Sequence, residues 1–472
     1  MRPGRLAARV ASVAVALSVA ASLPGAVQRA NADALVRQGP DLPALPAETV
    51  VLANGLRVFL APDPRATLVS VRVAYGAGKA DDPMDRPGVA MVSMFLALDH
   101  TLHVPSALRT LAAVGGTSVD SNINPDTTAF FETVAPERLE TALWVESDRM
   151  GYSVDAATEA NVDAARRLAE NAEDNQHKDT LYGAVPSFLR HELYPAWHPY
   201  AAVEDTEVDY SRVGADDVRL FLANWYTTGN ATVAIAGRFD RDAALALVKR
   251  YFESLPTREP PARSPLPSWE TPARSVLVKA NVFFDQVVVE WRTPAYGTAE
   301  DAALDLAASA LGRSQGETRL ARALLGQRLA TTVSARQVSR RDGSVFNVTA
   351  NCAPGVDHAL VVRTIQQTID EFAKDATVAE AAHARGLLRS LTLTTLESTW
   401  GRAARLIEMG KIGEPVGPQA SWGVGRYDAL TEVDVRAVAY RWLNPDHRAV
   451  ATVTVDRNAP KRGRLERREG SQ

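Results

Sequence analysis

The segment YSRVGADDVRLFLANWYTTGNATVA, residues 210–234, recurs in altered form as YDALTEVDVRAVAYRWLNPDHRAVA at residues 427–451. In both copies an acidic start leads into an amphipathic pattern that ends near a tryptophan, and a turn-forming triplet then precedes a strand-like run. Each segment is therefore predicted to form a helix, a turn and a strand. At an offset of 217 residues, seven of the 25 aligned positions are identical: Tyr210/Tyr427, Asp217/Asp434, Val218/Val435, Arg219/Arg436, Trp225/Trp442, Val233/Val450 and Ala234/Ala451.

The repeat extends to the start of each half of the chain. The β-branched runs at residues 68–73 and 286–291 are both typical of strands, and residues 255–272, with six prolines, are typical of a linker. We therefore predict two homologous domains, residues 49–254 and 273–457. Because strands and helices do not alternate strictly, the predicted fold class is α+β, each domain being a mostly antiparallel sheet with helices packed on one face.

The two ends of the chain have distinct compositions. Arg2, Arg5 and Arg9 precede an apolar stretch at residues 10–21, and a small-x-small site follows at residues 30–32. This layout predicts a signal peptide over residues 1–32, followed by an extension over 33–48, and hence an exported protein, periplasmic or secreted. An uncleaved membrane anchor is the alternative. Residues 458–472 form a basic tail, which we predict to be disordered; a membrane-surface contact is the alternative.

Composition limits the chemistry that is open to the chain. A net charge of −4 over 472 residues gives no reason to expect a nucleic-acid partner. Cys352 is the single cysteine, so neither an intramolecular disulfide nor a zinc site made of several thiolates can form. Because Cys352 follows a strand-like run, we predict a small buried side chain rather than a nucleophile.

Ordered segments along most of the chain resemble the pitrilysin/insulinase zinc metallopeptidases, particularly the branch of the mitochondrial processing peptidase. The segments that carry the resemblance in the first half are Leu52–Val58, Leu111–Gly116, Leu139–Met150, His198–Tyr200 and Gly229–Thr232, and those in the second half are Ala308–Gly312, Thr318–Leu320 and Val333–Ala335. The resemblance implies that a chain of this size forms half of a clam-shell around a chamber.

The resemblance also implies a zinc motif, His-x-x-Glu-His, on a helix of the first half. Two histidines four residues apart on one helical face can bind one zinc ion, and the glutamate accepts a proton from the zinc-bound water. After Gly88-Val89-Ala90, this sequence places Met91 and Phe95 at the histidine positions and Met94 at the glutamate position. Phenylalanine has no lone pair, and a thioether is a soft ligand that matches zinc poorly. We therefore predict that these positions are degenerate, that no zinc is bound, and that Met91, Met94, Phe95 and Leu98 form a core-facing apolar stripe.

Three further expectations concern the rest of a catalytic site. The resemblance implies a third zinc ligand near Ala172, which Glu170 and Glu173 flank. It also implies an Arg and a Tyr from the second domain, at positions that hold Leu325 and Thr331 here. A relocated metal site at His100 and His103 would require the helix to continue past Asp99, and Val104-Pro105 indicates that it ends there.

The sheet edge after Gly115-Gly116 is the expected contact for peptide. An extended peptide can add a strand to such an edge, here at Val119, Asp120, Ser121 and Asn122. An ordinary edge that Asp120 protects from pairing is an equal alternative. The leading hypothesis is a non-catalytic partner subunit or peptide-binding half, in a homodimer or in a heterodimer with a relative that has the intact motif. The alternatives are an active zinc metalloendopeptidase with a relocated or partner-supplied metal, and a stand-alone peptide-binding or assembly protein.

Overall fold

The computed structural model describes residues 46–104, 106–175, 182–183, 185–203, 208–313, 318–417, 421–459 and 467–469. The predicted signal peptide and most of the extension that follows it lie outside these residues. The strands are β1 (Glu48–Val51), β2 (Arg57–Pro62), β3 (Val69–Tyr75), β4 (Thr117–Ile123), β5 (Thr128–Val134), β6 (Ala231–Gly237), β7 (Arg274–Ala280), β8 (Gln286–Thr293), β9 (Ala330–Val338), β10 (Ser344–Cys352), β11 (Arg448–Val455) and β12 (Arg467–Glu469).

The strands form two six-stranded sheets, which have the same topology except for the outermost strands β1 and β12. Sheet A has the order β1-β2-β6-β3-β5-β4, and sheet B has the order β12-β7-β11-β8-β10-β9. In each sheet one neighbouring pair is parallel, β2 with β6 and β7 with β11, and the other pairs are antiparallel. The repeated segments supply β6 and β11, and the other paired runs supply β3 and β8. The predicted α+β class and the internal duplication are therefore confirmed.

Helices pack between and around the sheets. They are α1 (Val89–Asp99), α2 (Ala107–Ala113), α3 (Leu139–Ala156), α4 (Glu159–Glu173), α5 (Val185–Leu193), α6 (Ala215–Trp225), α7 (Arg241–Phe252), α8 (Ala299–Ala308), α9 (His358–Asp375), α10 (Val378–Leu396), α11 (Thr399–Lys411) and α12 (Glu432–Trp442). One face of sheet A forms a core with α1, α3, α4, α6 and α7, and one face of sheet B forms a core with α8, α9, α10 and α12.

The second face of each sheet is also covered, and the covering helix comes from the other half of the chain. Helix α11 places Leu406, Ile407 and Met409 on sheet A against Phe59 and Ala234. Helix α5, in turn, packs on sheet B. The expectation of helices on one face thus holds only for each half's own helices. Burial on both faces explains why central strands are rich in apolar residues, as in β6, where six of the seven residues are buried.

A small ionic cluster lies inside the core under sheet A. Glu132 of β5 and Glu146 and Arg149 of α3 are each at most 1% exposed. Arg149 forms an ion pair with Glu146 and donates from Nε to the Ala97 carbonyl at 2.8 Å, and its guanidinium lies 4.3 Å from the centre of the Phe130 ring. Burial, together with the neighbouring Glu146 carboxylate, raises the pKa of Glu132 well above its usual value. The positive charge of Arg149 thus acts on both carboxyl groups, and its side chain also bonds to the end of α1.

The linker between the two halves is irregular, and part of the tail forms a strand. Residues 256–273 contain neither helix nor strand. Where the sequence predicts a disordered tail, Arg467–Glu469 instead pair with β7 as β12, because the open edge of β7 offers unpaired backbone groups. Among the helices of the described residues, none has the length and apolar character needed to cross a bilayer.

Candidate functional site

Helix α1 begins at a specific turn. Gly88 precedes it with a φ of 96°, in the left-handed region that glycine tolerates. The Asp82 carboxylate accepts hydrogen bonds from the backbone N–H groups of Gly88 at 2.7 Å and Ala90 at 2.6 Å. An acidic group at a helix N-terminus satisfies N–H groups that have no partner within the helix. This turn fixes which side chains of α1 face sheet A and which face α4.

The three degenerate positions lie in the core. Met91 and Met94 are each 4% exposed, and Phe95 is half-buried against the same cluster. The predicted stripe is confirmed but understates the burial, because nine of the eleven residues of α1 are buried. A helix that is apolar all round belongs inside a protein.

A cavity of about 240 Å³ opens beside Met91. Glu173, at the end of α4 and 2% exposed, lines the cavity together with Lys79, His198 and Tyr210. The carboxylate oxygen Oε2 of Glu173 lies 3.6 Å from Lys79 Nζ and accepts a hydrogen bond of 3.2 Å from the Tyr210 hydroxyl. Burial and the adjacent Glu173 carboxylate raise the pKa of Tyr210, so its hydroxyl stays protonated and donates.

These residues do not fit a zinc ion. The third ligand was expected near Ala172, between Glu170 and Glu173. Glu170 is exposed and does not line the cavity, and the Glu173 carboxylate already contacts a lysine ammonium and a tyrosine hydroxyl. Within the described ranges, no group of three or more His, Cys, Asp or Glu side chains is close enough to hold a metal. Lys79 was missed by the sequence reasoning, because no motif links it to Glu173.

His100 and His103 are not arranged to bind one metal ion together. Helix α1 ends at Asp99, and His100 adopts an extended backbone, so the two histidines do not share a helical face. His103 Nδ1 lies 2.6 Å from Asp148 Oδ1, and its ring packs edge-on against Tyr152 at 4.7 Å. The predicted end of the helix before Pro105 is confirmed.

The second half places its expected site residues at the surface. Leu325 is 37% exposed at the end of a π-helical turn, and Thr331 is exposed on β9. Neither lines the cavity beside Met91. Cys352 is 2% exposed, and burial raises the pKa of its thiol to about 11, which agrees with a packing role.

The predicted peptide contact lies on an edge strand. β4 is the last strand of sheet A, and Gly115, with a φ of 78°, makes the turn before it. Val119 packs against the α1 side of the sheet, while Asp120 and Asn122 are exposed. The Ser121 N–H donates to Asp120 Oδ1 at 2.8 Å rather than to β5, so this N–H lies on the open side of β4.

Comparisons with known proteins agree with this architecture. A family model described as "Peptidase M16 inactive domain" matches residues 212–388, a range that does not include α1. The zinc protease PqqE of Helicobacter pylori is 24% identical over 340 residues, which is 69% of this chain and 74% of that protein. An uncharacterized zinc protease of Mycobacterium leprae is 26% identical over 418 residues, covering 83% of this chain and 88% of the relative.

A solved structure shows the same fold over nearly the whole chain. The crystal structure of a protease from Helicobacter pylori superposes with a TM-score of 0.74 at 20% identity, covering 87% of this chain and 100% of that one. The match extends across both sheets. In sequence and in fold, the chain is therefore similar to the M16 peptidases, the pitrilysin/insulinase family.

Proposed function

We propose that this chain is a non-catalytic M16 homologue that holds extended peptide as one half of a clam-shell, together with a second copy or with a relative that has the intact zinc motif. The observation that supports this proposal is which residues occupy the interior of the first half. The positions that would need His, Glu and His hold Met91, Met94 and Phe95. The nearby Glu173 carboxylate contacts Lys79 and Tyr210.

The apolar replacement has a physical rationale. A cluster of imidazoles and carboxylates without its metal would be a group of buried polar atoms that lack partners, at a cost of about 1–3 kcal/mol for each. Methionine is flexible and fills irregular space. The helix can therefore keep its place against sheet A with no metal to hold it.

Peptide binding is supported by the form of β4. The strand is seven residues long and has one neighbour, β5, so its other edge has backbone groups available for pairing. The bond between Ser121 N–H and Asp120 closes one of these positions in the free protein. An added strand would have to replace it.

The proposal extends to the place of action. The basic and apolar pattern of residues 1–32 favours export, so the partner and its peptides would be met outside the cytoplasm.

Zinc and cleavage measurements test the non-catalytic part. Protein purified without chelators is analysed for zinc by mass spectrometry and incubated with a mixture of quenched fluorescent peptides. We expect substoichiometric zinc and no cleavage. A stoichiometric zinc that survives dialysis, or cleavage that a chelator abolishes, would refute the proposal.

Fluorescence anisotropy of an eleven-residue labelled extended peptide tests the binding part. Ser121→Pro removes the N–H on the open side of β4, and we expect about a tenfold loss of affinity, because the strand loses a hydrogen bond and its neighbours shift. The matched control is Val333→Pro on β9, the corresponding edge of sheet B. Equal losses in both variants would contradict binding at β4.

A further inference from the structure

An arginine lies on a face of sheet A that is otherwise built for packing. Arg72 of β3 is 9% exposed and points to the side that α11 covers, as does its neighbour Ser70, whose hydroxyl bonds to Thr399. Within the part of the chain that the structure describes, its guanidinium donates one hydrogen bond, from Nη2 to Asn122 Oδ1 at 3.3 Å. Among the described residues, the buried Nε and Nη1 atoms of Arg72 have no hydrogen-bond partner.

The internal duplication shows that the fold does not need this charge. Arg72 pairs with Ala234 of β6, and Val288 of β8 pairs with Ala451 of β11, the repeat counterpart of Ala234. Val288 therefore occupies the position of Arg72 in sheet B, where it is 5% exposed in the core beneath α5. A buried arginine whose hydrogen bonds are incomplete is costly, and such groups in folded proteins require an explanation.

The surroundings of Arg72 place its charge at the open edge. The guanidinium lies 4.9 Å from the centre of the Phe131 ring and 5.8 Å from that of Trp400, and it reaches across β5 to Asn122 on β4. Trp400, at the start of α11, is 40% exposed, so this aromatic platform is partly open to solvent. Among the described residues, no carboxylate forms an ion pair with Arg72, although the charge of Glu408 on α11 acts on it from a longer distance.

The side chains of β4 alternate between the two faces of the sheet, and this alternation determines which side chains of a paired strand would face Arg72. Asp120 is opposite Phe131 and Asn122 is opposite Ala129, so both β4 side chains point to the Arg72 face. In a peptide strand added to β4, alternate side chains point to that same face. The peptide residue next to Asn122 would meet the Arg72 guanidinium, and the residue two positions away would meet the Asp120 carboxylate.

We propose that Arg72, Asn122 and Trp400 form a subsite for an acidic side chain of an extended peptide, and that Asp120 selects a basic side chain two residues away. This inference rests on the proposed peptide binding at β4 and adds the substrate class: peptides with an acidic and a basic residue at positions i and i+2. A carboxylate at Arg72 would supply acceptors for the unpartnered donors, and bonds of this kind are strong because both groups are charged.

The experiment compares two labelled eleven-residue peptides that differ in one side chain, Glu-Thr-Lys against Gln-Thr-Lys at the centre of a strand-forming sequence. We expect the wild-type protein to bind the Glu peptide at least about tenfold more tightly, since one charge-assisted bond changes affinity by that factor. Arg72→Met and Arg72→Val, the latter taken from sheet B, should bind both peptides equally. The matched control is Arg292→Met, an arginine of β8 that stacks over Trp269 at 4.2 Å.

The outcomes separate the two proposals. Wild-type binding without Glu/Gln discrimination, or discrimination that persists in Arg72→Met, would refute the subsite and leave peptide binding at β4 standing. Absence of binding for either peptide would refute both proposals. Circular dichroism of each variant confirms folding, and Arg72→Val provides a second test if Arg72→Met misfolds.

Discussion

Replacing Arg149 with methionine should destabilise the protein more than most single substitutions. Methionine fills much of the same space, but the change removes the arginine that forms an ion pair with Glu146, which is 0% exposed. It also removes the donor to the Ala97 carbonyl at the end of α1. The variant therefore leaves a buried carboxylate and a helix carbonyl without their partner.

The magnitude follows from these two losses. Breaking a buried ion pair on one side costs about 3–5 kcal/mol. The lost hydrogen bond to the carbonyl adds about 1 kcal/mol. For a domain of about 200 residues, 1 kcal/mol corresponds to roughly 2–4 °C in melting temperature, so Arg149→Met should melt about 10–20 °C lower.

Differential scanning calorimetry of a double-mutant cycle tests this reasoning. Glu146→Gln removes the charge that Arg149 neutralises, so the double variant should recover at least about 2 kcal/mol relative to the sum of the single changes. A loss below about 3 °C, or strict additivity in the cycle, would refute a dominant role for the buried pair.

Two further predictions test the cover of sheet A and the pH dependence of the core. Leu406→Ala in α11 should lower the free energy of unfolding by about 2–5 kcal/mol and lower the melting temperature of both halves together. The control Leu391→Ala, at a 40% exposed position of α10, should have little effect. Separate melting of the two halves would contradict the shared core. Burial lowers the pKa of His198 to about 4, so the stability that neutral His198 contributes is present above about pH 6.5 and is lost as the pH falls toward 4. His198→Gln should therefore show a smaller drop in melting temperature over that range than the wild type, and equal drops would count against this assignment.

Local patterns predicted the parts of the fold that depend on neighbouring residues. The repeat at residues 210–234 and 427–451 predicted the helix–strand pairs α6–β6 and α12–β11. It could do so because the apolar periodicity and the turn residues that define each pair lie within 25 residues. The apolar spacing of Met91 and its neighbours predicted a buried helix. β4 lies at the sheet edge where the glycine turn placed it, and its peptide-binding role remains a prediction.

The missed features depend on contacts between distant segments. The exchange of α5 and α11 joins residues more than 80 positions apart, and the apolar pattern of a helix does not say which sheet it covers. The contact of Lys79 with Glu173 likewise joins a loop to the end of α4. Arg72 alternates with valines in β3, a pattern that indicates a solvent-facing position. It is buried because α11, from the other half of the chain, packs on that face of sheet A.

The exchange of helices has a consequence for biosynthesis. The last strand of sheet A ends at Gly237, but the helix that covers its second face ends at Lys411, about 170 residues later. At ribosomal speeds of about 5–20 residues per second, a nascent chain would wait roughly 10–35 s with that apolar face open. The first half thus leaves the ribosome as an unfinished unit, and a chaperone that shields an exposed sheet during translation or export would have its greatest effect in this interval.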